Sequence, residues 1–159
     1  MTTGSITRPH FAKFTIARTY RHSPERVFHA FEDEQAHYRW LVSGEGWEID
    51  FYRHDFRVGG HAQGKFRMEG MQGWLGNDAW HLEIVKALRI VSAYSMTMDG
   101  KPFSHSLATT ELAPDSEGGC RLTYTEQGIY QGGDADVANR KAGCDELYDK
   151  LALELDTYA

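Results

Sequence analysis

Residues 10–20 (HFAKFTIARTY) alternate in part and put Phe14, Ile16 and Tyr20 on one side, the period-two pattern of a half-buried strand. Ser23-Pro24-Glu25 follows. It supplies a capping hydroxyl and then Pro at the first helical position, where a missing N–H costs nothing. The helix it opens carries Val27, Phe28 and Phe31 on one face. A second short helix is expected from Asp33 to Leu41, ending near Ser43-Gly44.

From Gly46 to Tyr130 the pattern is that of strands separated by turns. The strand-like runs are Trp47–Val58, Gln63–Glu69, Ala79–Lys86, Arg89–Met98, Phe103–Leu112 and Arg121–Tyr130. Between them lie Gly59-Gly60, Gly70 to Gly73, Gly76-Asn77-Asp78, Asp99 to Pro102 and Pro114 to Gly119, residues that suit tight turns. Parallel crossovers need about a dozen residues or more, so these strands form an antiparallel meander. The period then changes. Val137, Cys144, Tyr148, Leu151 and Leu155 recur at helical spacing from Asp134 to Thr157. A helix of that length spans roughly 30–35 Å, and its apolar stripe has only the sheet to bury against. The predicted fold class is α+β, with one strand, two short helices, six strands and a long C-terminal helix.

Length and composition change this picture little. The chain has 159 residues, 41% hydrophobic and 25% charged, ordinary values for one globular domain. That domain is expected over 9–158, with Met1 to Arg8 as a flexible N-terminus. Seventeen Lys plus Arg against 23 Asp plus Glu leave a net charge of -6. No basic surface for nucleic acid is in view, and no apolar run approaches the ~18 residues of a membrane span. The N-terminus lacks the apolar segment of a secretory signal, which makes the cytoplasm the default location. Two cysteines, Cys120 and Cys144, are too few for a disulfide framework and read as free buried thiols.

If the long helix covers one face of the sheet, alternation names the inward positions. They are Leu122, Tyr124 and Glu126 in the last strand, and Ala108, Thr110 and Leu112 in the one before it. Ile90, Ser92, Tyr94 and Met96 share a face in the next, and Trp80, Leu82 and Ile84 in the strand preceding that. Glu126 is the candidate catalytic residue, because a carboxylate pointing inward must be paired or protonated, and burial tunes it for acid/base work. Arg18 and Arg57 are its expected partners. A satisfied structural ion pair, or a strand-end position reaching water, is the leading alternative to an acid/base or ligand-anchoring role. The eight histidines show no H-x-H or H-E-x-x-H spacing, so no metal is expected. His61 and His81 could meet across strands, and His105 could sit at a pocket mouth. Arg140, one turn before Cys144, could lower that thiol's pKa. Gly59-Gly60 is a turn, not a phosphate loop.

Four stretches, in this order and spacing, resemble the START-like (helix-grip) superfamily and, within it, the family named for the activator of heat-shock-protein-90 ATPase. They are Ala17 to Tyr20 with Ser23 to Phe31, then Arg39-Trp40, then Asp55 to Gly60, and last Ala142-Gly143-Cys144 with Leu147, Tyr148 and Leu151. Family members often carry Trp where this chain has Cys144. The resemblance implies a curved sheet of six or seven strands around the C-terminal helix, with a cavity for an apolar small molecule. Trp40, Arg57, Trp80, Leu82, Tyr94 and Met96 would line it on one side. Thr110, Tyr124, Glu126, Cys144 and Tyr148 would complete it. Binding of a hydrophobic or aromatic molecule is the first functional expectation and needs no cofactor. A cyclase or aromatase using Glu126, Tyr94 or Tyr124 is the second, and regulation of a chaperone ATPase is the third. The resemblance also admits a homodimer.

Overall fold

Strand β1 (His10–Tyr20) buries Phe14, Ile16 and Tyr20, as its alternation predicts. The computed structural model describes residues 8–158, so the N-terminal segment named above lies, except for Arg8, outside the described residues. Helix α1 (Pro24–Glu32) begins where Ser23 Oγ accepts from the Arg26 N–H at 3.2 Å. Asp33 then ends α1 and caps the next helix, α2 (Glu34–His37), by accepting from the Ala36 N–H at 2.9 Å. The second helix does not continue as α to Leu41. It widens into a π-helical turn, Tyr38–Val42, a form that inserts one extra residue per turn. Within that turn Trp40 is buried and its Nε1–H donates to the Ala30 carbonyl at 2.8 Å.

Six strands follow: β2 (Trp47–His54), β3 (His61–Met68), β4 (Leu75–Val85), β5 (Arg89–Met98), β6 (Lys101–Pro114) and β7 (Cys120–Tyr130). With β1 they form one antiparallel sheet in the order β1-β7-β6-β5-β4-β3-β2, first strand pairing with last. Strand β2 stops four residues before the expected Val58, because Asp55 to Gly60 folds back on itself through Arg57 N–H to Asp55 O (3.0 Å) and Gly60 N–H to Arg57 O (2.8 Å). A Cβ at Gly60 would lie 2.1 Å from the Asp55 carbonyl, so only glycine fits that turn. Strand β4 starts earlier than expected, since Gly76-Asn77-Asp78 pairs with both neighbouring strands and is no turn.

Helix α3 (Asp134–Thr157) packs on β1, α1 and the π-helical turn. Cys144, Tyr148, Leu151 and Leu155 are buried, and Val137 is packed against the same core. The helix is pinned by ions as well. Arg39 makes a two-pronged pair with the buried Glu154, and Arg18 reaches Asp145 and Asp149. Leu151 is fully buried while Leu153, two residues on, is 68% exposed. Leu151→Ala should therefore lower unfolding free energy by about 3 kcal/mol through lost burial and a cavity. Leu153→Ala should stay within about 0.5 kcal/mol. Urea denaturation of the two variants checks both.

Candidate functional site

The side chains most unlike a plain core gather around Glu126, which is fully buried on the inner face of β7. Its strand neighbours Tyr124 and Tyr130 share that face. Tyr124 donates to Oε1 at 2.7 Å, and Tyr130 donates to Oε2. Gly128 lies between, where a Cβ would meet Ser106 Oγ at 2.6 Å and Tyr130 Oη at 3.1 Å. Without a side chain there, the Tyr130 phenol can fold back over the carboxylate. Ser106 from β6 donates to Oε2 at 3.0 Å, and Tyr94 from β5 donates to Oε1. The charge partner comes from the helix: Arg140 Nη1 is 3.1 Å from Oε2 and donates to Tyr94 Oη at 2.9 Å, while Nη2 donates to Ser104 Oγ at 2.6 Å.

Electrostatics follow from this packing. Burial, reinforced by Glu126, pushes the Tyr94 phenol well above its usual value, and burial does the same to Tyr124 and Tyr130. All three are neutral donors at neutral pH. Burial works to lower the Arg140 pKa, but Tyr94 and Glu126 beside it outweigh that and raise it. The Cys144 thiol is pushed up to about 12, mainly by burial and then by Glu126. Arg140 thus serves the carboxylate and does not activate the thiol. Both Glu126 oxygens accept several bonds, so the carboxylate presents no open lone pair of the kind a general base needs.

The inner face changes character away from this network. Register places Ala79 opposite Tyr94, Ala62 opposite Ala79, and Gly64 opposite Asn77, which faces Met96. These residues and Ser92 are only half-buried, although they sit on central strands. Over β7 and β6 the space beneath α3 is filled by Tyr124, Tyr148, Cys144, Glu126 and Arg140. Over β3–β5 it is only half-buried, with Ala62, Gly64, Ala79 and Ser92 beside the larger Tyr94 and Met96. Two separate surface clefts, of about 380 Å³ beside Glu34, Tyr38 and Tyr52 and about 280 Å³ beside Tyr20, His22 and Ala152, lie elsewhere.

Residues 21–156 match the model of the family described as activator of Hsp90 ATPase homolog 1-like protein. The chain belongs to that family. Among solved structures it is similar to the Mll3558 protein from Rhizobium loti, with 43% identity and TM-score 0.81 over 92% of this chain and 99% of the other. A putative uncharacterized protein from Rhizobium leguminosarum is 28% identical at TM-score 0.88, over 95% and 98%. The CV1439 protein from Chromobacterium violaceum is 27% identical at TM-score 0.75, over 92% and 98%. Among curated proteins none matches significantly.

In this member of the Hsp90-ATPase-activator homologue family, the inward positions expected in β5, β6 and β7 lie on the inner face. Tyr94, Met96, Thr110, Tyr124 and Glu126 are on it, and Cys144 and Tyr148 face it from α3. Trp40 is core. Two residues are on the wrong side of the prediction: Trp80 and Leu82 are 49% and 52% exposed. A bulge between His81 and Glu83 shifts the phase, so Ile84 and His81 both point inward while Leu82 and Trp80 point out. Arg57 is also misplaced by the prediction. It is exposed, paired with Asp55, and Arg18 belongs to α3's Asp145 and Asp149, so neither serves Glu126. His61 stacks on Trp80 on the outer face and does not meet His81, and His105 pairs with Ser95 at an exposed site. Tyr130, Ser104, Ser106 and Arg140 went unnamed as parts of the network. The first three could have been found from the same alternation, but the helix-to-strand contact could not.

A second group sits where α2 meets the sheet. His37 stacks on His54 at 4.2 Å between ring centroids and hydrogen-bonds Tyr52 Oη at 2.8 Å. Phe56 lies between His54 and His81 at 5.5 and 5.3 Å. Among the described residues no group of three or more His, Cys, Asp or Glu side chains is placed to hold a metal ion. Burial holds His37 well below the ordinary imidazole value, aided by His54 and His81, and burial also lowers His54 and His81. Asp33, Glu34 and Asp55 pull weakly the other way.

Two predictions follow from these groups. Arg140→Met strands a buried carboxylate and should cost about 3–5 kcal/mol, part of which returns in Arg140→Met combined with Glu126→Leu; urea midpoints read both. In the unfolded chain imidazoles titrate near about 6.5. Below that value the unfolded state takes up protons that the three folded imidazoles refuse. Stability should therefore be complete above about pH 6.5 and fall below it, with a slope approaching about 1.4 kcal/mol per pH unit for each imidazole. Denaturation at about pH 7.5 and about pH 5 measures the loss, and His37→Phe should reduce it.

Proposed function

We propose that this protein binds a hydrophobic or aromatic small molecule along the inner face of β3–β5, with Tyr94 and the Glu126–Arg140 pair as the polar wall of the site. The observation that carries this is the half-exposed, small-residue face at the centre of the sheet, from Ala62 and Ala79 to Ser92 and Met96. Central strands in a domain of this size normally lie beneath a packed layer. Here α3 seats on β1, α1 and the π-helical turn, and the small residues Ala62, Gly64, Ala79 and Ser92 lie on a face that stays half-buried. An apolar floor beside a few fixed polar groups is the usual make-up of a small-ligand site. Membership of a START-like family supports the same use of the fold.

The neutral, environment-sensitive dye N-phenyl-1-naphthylamine tests this. Its fluorescence should rise and saturate at one molecule per chain. Ala79→Trp, which places an indole on that face, should weaken uptake about tenfold or more, equivalent to losing the burial of one or two ring edges. Absence of saturable uptake, or equal binding by the Ala79→Trp protein, would remove this function from consideration.

A further inference from the structure

We propose that the outer face of the sheet pairs two copies of this chain, the Trp80 ring of each entering the gap over Ala93 of the other. The inference is independent of the small-molecule function above, which uses the opposite face of the sheet.

His61, Trp80, Ala93 and Leu107 are directly opposite one another on β3, β4, β5 and β6. The rings of His61 and Trp80 lie 3.9 Å apart and 6° from parallel. That is so close to van der Waals contact that their faces must look at each other. Both rings therefore stand on edge and face across the strands. His61 covers one face of the indole. The other looks over Ala93, a single methyl group, towards Leu107, and Trp80 and Leu107 remain 49% and 37% exposed. Two strand spacings of about 4.8 Å separate the indole from Leu107, which leaves room for one more flat ring.

A second copy supplies that ring. A two-fold axis running along the strands, midway between two stacked sheets and between β4 and β5, sets β4 of each copy over the partner's β5. Each indole then falls over the partner's Ala93. The rings stack in the order His61, Trp80, the partner's Trp80, the partner's His61. Leu82, 52% exposed at the bulge of β4, covers the partner's Val91. A knob and a notch one strand apart are self-complementary, as a two-fold contact requires.

Charge permits the same pairing. Copies carrying a net charge of -6 repel one another, so a contact between them must be locally balanced. Beside Trp80, Asp78 is held by His61 and Glu83 by Arg89 within the chain. The overlapping strands are β2 to β7. They offer each copy at most about 750 Å², near the ~800 Å² per partner of a standard interface, and sheet twist trims that. Such an area supports a reversible dimer with a micromolar Kd.

Sedimentation equilibrium of the full chain tests this from about 5 to about 500 μM, a range that brackets such a Kd. The average mass should rise from one chain towards two. Trp80→Ser should weaken association about tenfold or more, as loss of a central aromatic anchor does. Phe11→Ser removes another exposed ring, but from β1, which lies beyond the edge of the partner's sheet in this arrangement. It should leave Kd within about twofold. A single-chain mass at every concentration would overturn the inference and needs no variant to fold. Undiminished association of the Trp80→Ser protein, or equal weakening by Phe11→Ser, would overturn it too. Dye uptake on the inner face is read separately and stands or falls by itself.

Discussion

The fully buried Glu126 and its counter-ion organise this protein. Glu126 has no access to water, and an ion in that position is tolerated only when a counter-ion and hydrogen bonds replace its hydration. Arg140 supplies the charge from α3, and three phenols and a serine supply the bonds from β5, β6 and β7. The N-terminal half of α3 is located by this contact. Its C-terminal half is located by ordinary burial of Leu151 and Leu155 and by Arg39 on Glu154. Ion pairs thus hold the helix along its length, and apolar burial adds to them in its C-terminal half.

That arrangement governs how the inner face of the sheet is shared. Where Arg140, Cys144 and Tyr148 descend from the helix, the space is filled, and burial pushes the Cys144 thiol up to about 12. Beyond Tyr94, over β3–β5, the inner face is only half-buried and carries the small residues Ala62, Gly64, Ala79 and Ser92. Tyr94 sits at the boundary, bonded to Glu126 and Arg140 on one side and half-exposed on the other. His37, His54, Phe56 and His81 pack together at the α2 side, where burial lowers the three imidazole pKa values.

Much of the architecture was legible in advance, for local reasons. The Ser23-Pro24 start of α1, the bounds of β5 and the span of α3 depend on neighbours in the chain, and each is where pattern and capping chemistry put it. Glu126 was legible as a site because its phase set a carboxylate among Leu122 and Tyr124. The errors fall where one residue changes the register. The bulge at Leu82 reversed the faces of Trp80 and Leu82, and both are apolar residues that alternation alone assigns to the core. The π-helical turn after His37 is the same kind of event in a helix.

The amino-acid sequence by itself determined the elements, their order and which strand face is apolar, since these follow from periodicity and turn chemistry within short windows. Only tertiary structure decided that Arg140, and not Arg18 or Arg57, answers Glu126. Three cations could have met that charge, and the choice depended on which turn of a 24-residue helix lies over which strand. Likewise, no local pattern shows whether a helix fills or spans a concave sheet. Side chains from seven strands and a distant helix compete for that one volume, and their sizes matter only once they share it.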